Sequence, residues 1–202
     1  MRRLGEQSVA RPREFDEGEA VRHASKVFWK RGYQATSIRD LEDATGLAAG
    51  SLYKAFGSKR ELFLACLEQY MKEESYLAVL LQWFNKPVEE SLRHIFDTII
   101  ESAAADSPRP AGCLATNLVA ELLNVDPELG DEAVMGLAEM HKALRFRIKW
   151  AVECGDLSAR HDVDALAGYF MVMIQGMLLL STSTRDIGAM RAARDVALTA
   201  LH

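Results

Sequence analysis

The most informative stretch of the chain is Thr36-Ser-Ile-Arg-Asp-Leu-Glu-Asp-Ala-Thr-Gly-Leu-Ala-Ala-Gly-Ser-Leu-Tyr-Lys-Ala-Phe-Gly-Ser-Lys59. It predicts two short helices, 38 to about 45 and about 49 to 56, joined through Gly46, which adopts a positive φ without strain. Apolar side chains lie where the two helices can pack together, namely Ile38, Leu41, Ala44, Leu47, Leu52 and Phe56. The second helix would expose small residues at its N-terminus, an arrangement that can enter a major groove.

Outward from this stretch, the chain continues as helical segments. Asp16 can cap a first helix that ends at Gly32, and a fourth helix is expected from about 59 to 83. The prediction is an all-α protein of nine helices in two domains. A basic arm (1–14) precedes a three-helix helix-turn-helix head (15–60), and a helical ligand-binding and dimerisation body (61–202) follows.

The charge is unevenly distributed along the chain. Residues 1–60 contain 12 basic and 8 acidic side chains, a net of +4, whereas residues 61–202 contain 12 and 21, a net of −9. The net charge of the whole chain is −5, which by itself argues against nucleic acid. A basic head on an acidic body is nevertheless typical of a protein that contacts DNA at one end, although chance clustering would give the same numbers.

Residues 36–62 resemble the DNA-binding region of the tetracycline-repressor (TetR) family. The family pattern is matched at Ile38, Leu41, Gly46, Leu47, Gly50, Leu52, Tyr53, Phe56, Ser58, Lys59 and Leu62. The end of the first helix, residues 28–33, is also similar to the family's first helix. Glu42, Thr45 and Ala55 depart from the commonest form. The remaining two-thirds of the chain is similar only in helix count and in Gly112-Cys113-Leu114.

The resemblance implies roles in holding double-stranded DNA. Tyr53 and Lys59, with Lys54, would contact phosphates, as would Thr36 or Ser37 at a helix start. The residues facing base edges would be Arg39, Ala49, Gly50 and Ser51. The alternatives are packing for Tyr53 and Lys59, and for Arg39 an ion pair with Glu42 or Asp43. The arginines of the arm, Arg2, Arg3, Arg11 and Arg13, would either add DNA contacts or form an unstructured tail.

A single short recognition helix buries too little surface for tight binding, so a homodimer on a pseudo-palindromic operator is expected. The segment 163–180 is apolar nearly all round, which predicts burial on every side. The dimer interface would comprise Leu166, Tyr169, Phe170, Met173, Ile174, Met177, Val196 and Leu198. The alternative is an ordinary core helix within one chain.

The body would enclose an apolar pocket for a small-molecule inducer. Its candidate lining is Trp83, Phe96, Cys113, Asn117, Glu121, Met140, Leu144, Trp150 and Gln175, each of which could equally be plain core. Asn117 and Glu121 lie one turn apart and would orient a ligand or cap a neighbouring helix. Cys113, at a helix start, would sense an electrophile or oxidant, or be a small hydrophobic residue.

Other classes of protein are disfavoured. No HExxH, P-loop, GxSxG or Cys/His pairing indicates an enzyme, and no cofactor is expected. A metal site is not expected either, because His94, His141 and His161 are not spaced from the cysteines as metal ligands usually are.

Three further features indicate a cytoplasmic protein that does not engage a membrane. Residues 1–20 lack the apolar core of a secretory signal, and the apolar stretch 165–180 falls short of a membrane span. The cysteines are odd in number and have the pattern of reduced thiols.

These observations together predict a ligand-responsive transcriptional repressor that leaves its operator when the inducer binds, with the fourth helix acting as a lever. The alternatives are a transcriptional activator, a helical ligand-binding or redox- and electrophile-sensing protein acting through Cys113, a scaffold with a vestigial head, and a helical enzyme.

Overall fold

The computed structural model describes residues 15–104, 106–107, 109–123 and 125–202, so the predicted arm lies outside the described residues. Throughout those ranges the regular structure is helical, and the all-α prediction is confirmed. The helices are α1 (Glu17–Arg31), α2 (Ile38–Thr45), α3 (Ala49–Phe56), α4 (Lys59–Glu73), α5 (Tyr76–Gln82), α6 (Val88–Ser102), α7 (Leu114–Leu122), α8 (Pro127–Glu153), α9 (Val163–Thr182) and α10 (Ile187–Leu198), with a final 3-10 turn Thr199–Leu201.

The nine predicted helical segments occur in order, but the fourth is interrupted. α4 ends at Glu73, and Ser75 caps α5 by accepting a hydrogen bond from the Ala78 amide at 3.1 Å. The Ser75 hydroxyl also donates to the carbonyl of Met71 at 2.8 Å, so it satisfies groups of both helices at the break. The expectation of one continuous lever from 59 to 83 is therefore wrong, because the chain turns at 74–75.

The head forms around α1. Asp16 caps that helix by accepting from the Glu19 amide, and Gly32 ends it with φ +83°. The buried face of α1 contacts α2 and α4, and the rings of Phe28 and Phe63 meet edge to face at 5.0 Å. This core fixes α2 and α3 on the end of α4.

The body is a layered bundle of α5–α10. α8, the longest helix, packs against α7 on one side and α9 on another, and α6 packs between α9 and α10. Phe96 on α6 and Phe170 on α9 are fully buried with their ring centroids 6.2 Å apart. Leu118 and Leu144 are also fully buried, so the centre of the body is filled with side chains.

α9 differs from its prediction in two ways. It runs for 20 residues, which makes it the one helix in the described ranges that is long and apolar enough to cross a membrane by length and composition. The prediction that the stretch 165–180 falls short of a membrane span is therefore wrong in length, because the helix extends beyond it at both ends. One side of the helix packs on α6, α8 and α10, and the other side is exposed.

Candidate nucleic-acid interface and ligand cavity

The turn between α2 and α3 sets the angle of the second helix. Gly46 has φ +71°, and its amide donates to the carbonyl of Glu42 at 2.8 Å, which closes α2. Leu41 and Leu52 are buried where the two helices meet, while Ile38 and Phe56 pack partly buried against the same core. The predicted inner faces therefore match the structure.

The outward face of α3 carries the predicted DNA-contacting residues. Gly50, Ser51, Tyr53 and Lys54 are exposed, and Ala49 is half-buried. Arg39 on α2 is exposed too, and within the described part of the chain it forms no ion pair with Glu42 or Asp43. These six residues lie on a surface that a DNA duplex could reach, and the contact of each one with DNA stays a prediction.

The N-terminus of α3 is capped by Glu42, a residue for which the sequence did not predict this role. Ala48 at the cap position has no side-chain acceptor, and Glu42 Oε1 accepts the Ala49 amide at 2.6 Å instead. The signal was present in the sequence, since a helix start without a capping side chain leaves its first amides unpartnered. Glu42 thereby ties α3 to α2.

One predicted phosphate contact is contradicted. The side chain of Thr36 is buried, and its hydroxyl donates to the carbonyl of Gly32 at 2.6 Å, so it cannot reach a phosphate. Ser37 is exposed and forms a capping box with Asp40, whose amide donates to the Ser37 hydroxyl at 3.2 Å. The hydrogen bonds from Ser37, followed by the ion pair with Arg31, lower the pKa of Asp40.

Lys59 lies between the head and the body. Its ammonium is 4.5 Å from the ring centroid of Tyr33. Partial burial lowers the pKa of Lys59, and the carboxylates of Glu121 and Asp40 oppose that shift. A phosphate contact from Lys59 stays a prediction, and it would require the ammonium to turn outward.

Glu121 was expected in the ligand pocket, and the structure contradicts this. Its carboxylate reaches out of the body to the head, where it accepts the amides of Tyr33 at 3.0 Å and Gln34 at 2.7 Å. Glu121 therefore follows the alternative prediction, in which it caps backbone groups of a neighbouring segment, and that segment is a loop of the head rather than a helix.

The body contains a cavity of about 20 Å³, which is room for about one water. Among the predicted lining residues, Cys113, Met140 and Gln175 border it. Gln175 Oε1 accepts the Thr116 hydroxyl at 2.8 Å, which links α9 to α7 at the edge of the cavity.

The other predicted lining residues lie elsewhere. Phe96 and Leu144 are plain core, and Asn117 is half-buried beside Gly112. Trp83 stacks on His94 at 4.0 Å. Trp150 is 45% exposed, at the rim of a surface groove of about 300 Å³. Helical periodicity placed these residues on apolar faces without showing which neighbour each face meets.

Cys113 is buried among polar groups. The Tyr70 hydroxyl donates to its Sγ at 3.1 Å. Burial raises the pKa of Tyr70 well above its usual value, and Cys113 adds to that shift. The guanidinium of Arg109 lies over the ring of Tyr76, another cavity residue, at 4.8 Å. The described residues contain no group of three His, Cys, Asp or Glu that could hold a metal ion.

The predicted dimer face needs correction. Five of its residues are buried within their own chain, namely Leu166, Phe170, Ile174, Met177 and Leu198. The exposed large apolar residues of these helices are the predicted Tyr169 on α9 and Val196 on α10, together with Val172 and Leu179 on α9, each 37% exposed or more. Met173 is half-buried at the edge. Five of the eight predicted interface residues therefore lie on the inner side of their helices, and a dimer formed through α9 and α10 stays a prediction.

Two family models match the chain: "Bacterial regulatory proteins, tetR family" over residues 21–66, and "Tetracyclin repressor-like, C-terminal domain" over residues 88–197. The chain is 32% identical to the HTH-type transcriptional repressor ComR of Escherichia coli, with 96% of the chain and 91% of that protein aligned. It is 29% identical to the HTH-type regulator YezE of Bacillus subtilis, over 96% and 100%. A cysteine mutant of the TetR family regulator CifR, solved with 26-bp operator DNA, superposes with a TM-score of 0.82 at 27% identity, over 95% of this chain and 100% of that one.

Proposed function

The chain belongs to the tetR family of bacterial regulatory proteins, and from that premise we propose that it is a dimeric repressor released from its operator by a small molecule. The observation that carries the proposal is the exposed face of α3, which presents small side chains beside Tyr53 and Lys54 on a helix held by Gly46 and Glu42. Relatives named as repressors, such as ComR, support the direction of control.

In the proposed complex, α3 lies in the major groove. Tyr53, Lys54, Lys59 and Ser37 hold phosphates on either side, because phosphate contacts set the register of a protein on the duplex. Arg39, Ala49, Gly50 and Ser51 face the base edges, where the arginine would pair with a guanine and the alanine would touch a thymine methyl. Thr36 is left out of this set because its hydroxyl is used inside the head.

Two copies are joined through the exposed faces of α9 and α10. Val172, Leu179 and Val196 are each at least 66% exposed in the single chain, and Tyr169 extends the same surface. A patch of this kind is expected to be covered by a partner, and a two-fold axis brings the same patch of both copies together. The pairing sets the distance between the two α3 helices.

The proposed inducer enters the body between α7, α8 and α9. The cavity of about 20 Å³ is far smaller than the few hundred Å³ of a typical ligand site, so an inducer would have to displace the side chains that line it. An inducer would open the cavity and shift the population towards a conformation with a different spacing of the heads. The protein would act in the cytoplasm as a regulator with no catalytic activity.

The test is binding of the purified protein to the DNA upstream of its own gene across a salt series. Lys54 and Lys59 of two protomers neutralise four phosphates, so the logarithm of the affinity should fall with that of the salt concentration at a slope of about −4. A reporter driven by the same DNA should rise when the gene is deleted, whereas a fall would identify an activator. A protein that stays monomeric and ignores this DNA would contradict the proposal.

A second candidate function is electrophile sensing by Cys113, favoured by its position on the cavity beside Tyr70. The thiol would add across the double bond of an enone such as N-ethylmaleimide, with its proton passing to the adjacent carbon. The reagent should release DNA from the wild type and from a Cys154→Ser variant, which lacks the exposed thiol. A Cys113→Ser variant that still releases DNA would exclude this function.

A further inference from the structure

We propose that Glu121 is a positioning residue for DNA binding, which fixes the angle of the head on the body by holding the loop between α1 and α2. The proposal rests on the proposed function, since it concerns how the same DNA-binding surface is presented. It assigns the anchoring of this loop to the body to a single carboxylate on α7.

The contact is bidentate and joins distant parts of the chain. One oxygen of Glu121 accepts the amide of Tyr33 and the other that of Gln34, so two consecutive backbone groups of the head are held by one side chain of the body. Hydrogen bonds to a charged acceptor are the stronger kind, and two of them also fix an orientation. Backbone donors make the contact independent of which side chains stand at 33 and 34.

The loop is shaped around this carboxylate. Gly32 has φ +83°, and a Cβ added there would lie 2.5 Å from Glu121 Oε2. Position 32 therefore requires glycine for two reasons, its positive φ and the space that Glu121 occupies. The charge of Glu121 also acts on Lys59, where it opposes the lowering of the Lys59 pKa by partial burial.

A series of bonds continues from the loop to α3. The Thr36 hydroxyl is bonded to the carbonyl of Gly32, and Asp40 pairs with Arg31 at the end of α1. Glu42, in the C-terminal half of α2, then caps α3. A displacement of the loop would therefore carry the DNA-contacting helix with it.

The opposite end of α7 borders the cavity. Cys113 stands at the N-cap of this nine-residue helix and Thr116 bonds Gln175, whereas Glu121 lies about two turns further on, roughly 12 Å along the axis. A short helix moves as one body, so an inducer that opened the cavity by displacing α7 would draw Glu121 away from the loop. The break at 74–75 removes the alternative of one rigid rod running the length of the predicted lever.

A second bridge between body and head provides the matched control. Glu128 on α8 pairs with Arg60 at 2.7 Å, but its side chain is 85% exposed. Exposed ion pairs of this kind contribute little to the stability of a protein. Glu128→Gln therefore removes one carboxylate from the same boundary without removing the backbone anchor.

The experiment compares full-length wild type, Glu121→Ala, Glu121→Gln and Glu128→Gln. Amide hydrogen exchange should accelerate at Tyr33 and Gln34 in Glu121→Ala, less in Glu121→Gln, which keeps one acceptor, and not in Glu128→Gln. Affinity for the upstream DNA should fall about tenfold or more in Glu121→Ala and stay within about twofold in Glu128→Gln. Helix content and dimerisation should not change.

A further measurement distinguishes positioning from general destabilisation. Spin labels at His23→Cys in a Cys154→Ser background report the distance between the two heads, and Glu121→Ala should broaden that distribution in the free dimer. Unchanged exchange at 33–34, an unchanged distance distribution or unchanged DNA affinity would overturn the proposal. If the wild type fails to bind DNA, the proposed function fails by itself, while exchange and distances still decide whether Glu121 holds the head.

Discussion

The surface of α3 and the interior of the body are prepared for binding in opposite ways. On α3, Gly50, Ser51 and Lys54 are exposed on a helix held at its start by Glu42, so the surface exists before any partner arrives. In the body, α7, α8 and α9 close to leave about 20 Å³. A large polyanion can be met by a rigid surface, whereas a small apolar molecule must displace packed side chains.

The difference explains how the two regions can be coupled. A site that is already open gains little from rearrangement, but a closed site must change shape to be occupied. An inducer that opened the body would therefore displace whatever α7 contacts, and α7 contacts the head through Glu121.

The largest expected effect is on the filled interior. Phe96→Ala should lower the free energy of unfolding by about 3–5 kcal/mol, because it removes a fully buried ring that packs on Phe170. Trp150→Ala, at a half-exposed position, should cost about 1 kcal/mol or less. Urea denaturation at one protein concentration measures the free energy of unfolding of both variants. Equal losses of stability would contradict the assignment of Phe96 to the core and Trp150 to the groove rim.

The next effect concerns the exposed side of α9. Val172→Arg should raise the dimer dissociation constant about 100-fold, equivalent to about 2.7 kcal/mol, because each copy would bring an unpaired charge into an apolar interface. Sedimentation velocity measures the shift, and DNA affinity should fall with it. Met135→Arg, at an equally exposed position on α8, is the control. A dimer that tolerated Val172→Arg would place the interface elsewhere.

A smaller effect is expected on the preformed surface. Lys54→Ala should reduce DNA affinity about tenfold and make the salt dependence shallower by about two, one contact for each protomer. Lys142→Ala, which removes the same charge from α8, should leave the slope unchanged. Filter binding across a salt series measures both, and an unaltered slope in Lys54→Ala would remove that residue from the interface.

The smallest effect is within the head. Ser37→Ala should cost about 1 kcal/mol of stability, because it removes the cap of α2. The hydrogen bonds from Ser37 lower the pKa of Asp40, so the stability they confer is present above the ordinary carboxyl pKa and is lost as pH falls through the lowered value. Ser37→Ala removes the bond from the hydroxyl to Asp40 and keeps the one from the backbone amide. In thermal unfolding from pH 7 downward the difference between the two proteins should therefore shrink in acid without vanishing, and a difference that grew in acid would contradict this account.

The sequence was most informative where short-range geometry controls the outcome. Gly46 needs a positive φ and Leu41 and Leu52 must meet across that turn, so the packing of α2 on α3 could be predicted, whereas the residue at the start of α2 was left open between Thr36 and Ser37. Glu42 could have been found in the same way, from the missing cap at Ala48.

The body was less predictable. Only Cys113, Met140 and Gln175 of nine proposed lining residues border the cavity.

Periodicity, glycines and caps were enough to predict an all-helical chain, because each acts over a few residues of backbone, and the DNA-binding role of the basic head rested on the charge distribution and on the resemblance of residues 36–62 to a known family. The packing of distant helices determined which side of α9 stays exposed, why Thr36 is hidden and where Glu121 points. Those outcomes depend on contacts between residues up to 88 positions apart, and helical periodicity shows that a face is apolar or polar without specifying which neighbour it meets.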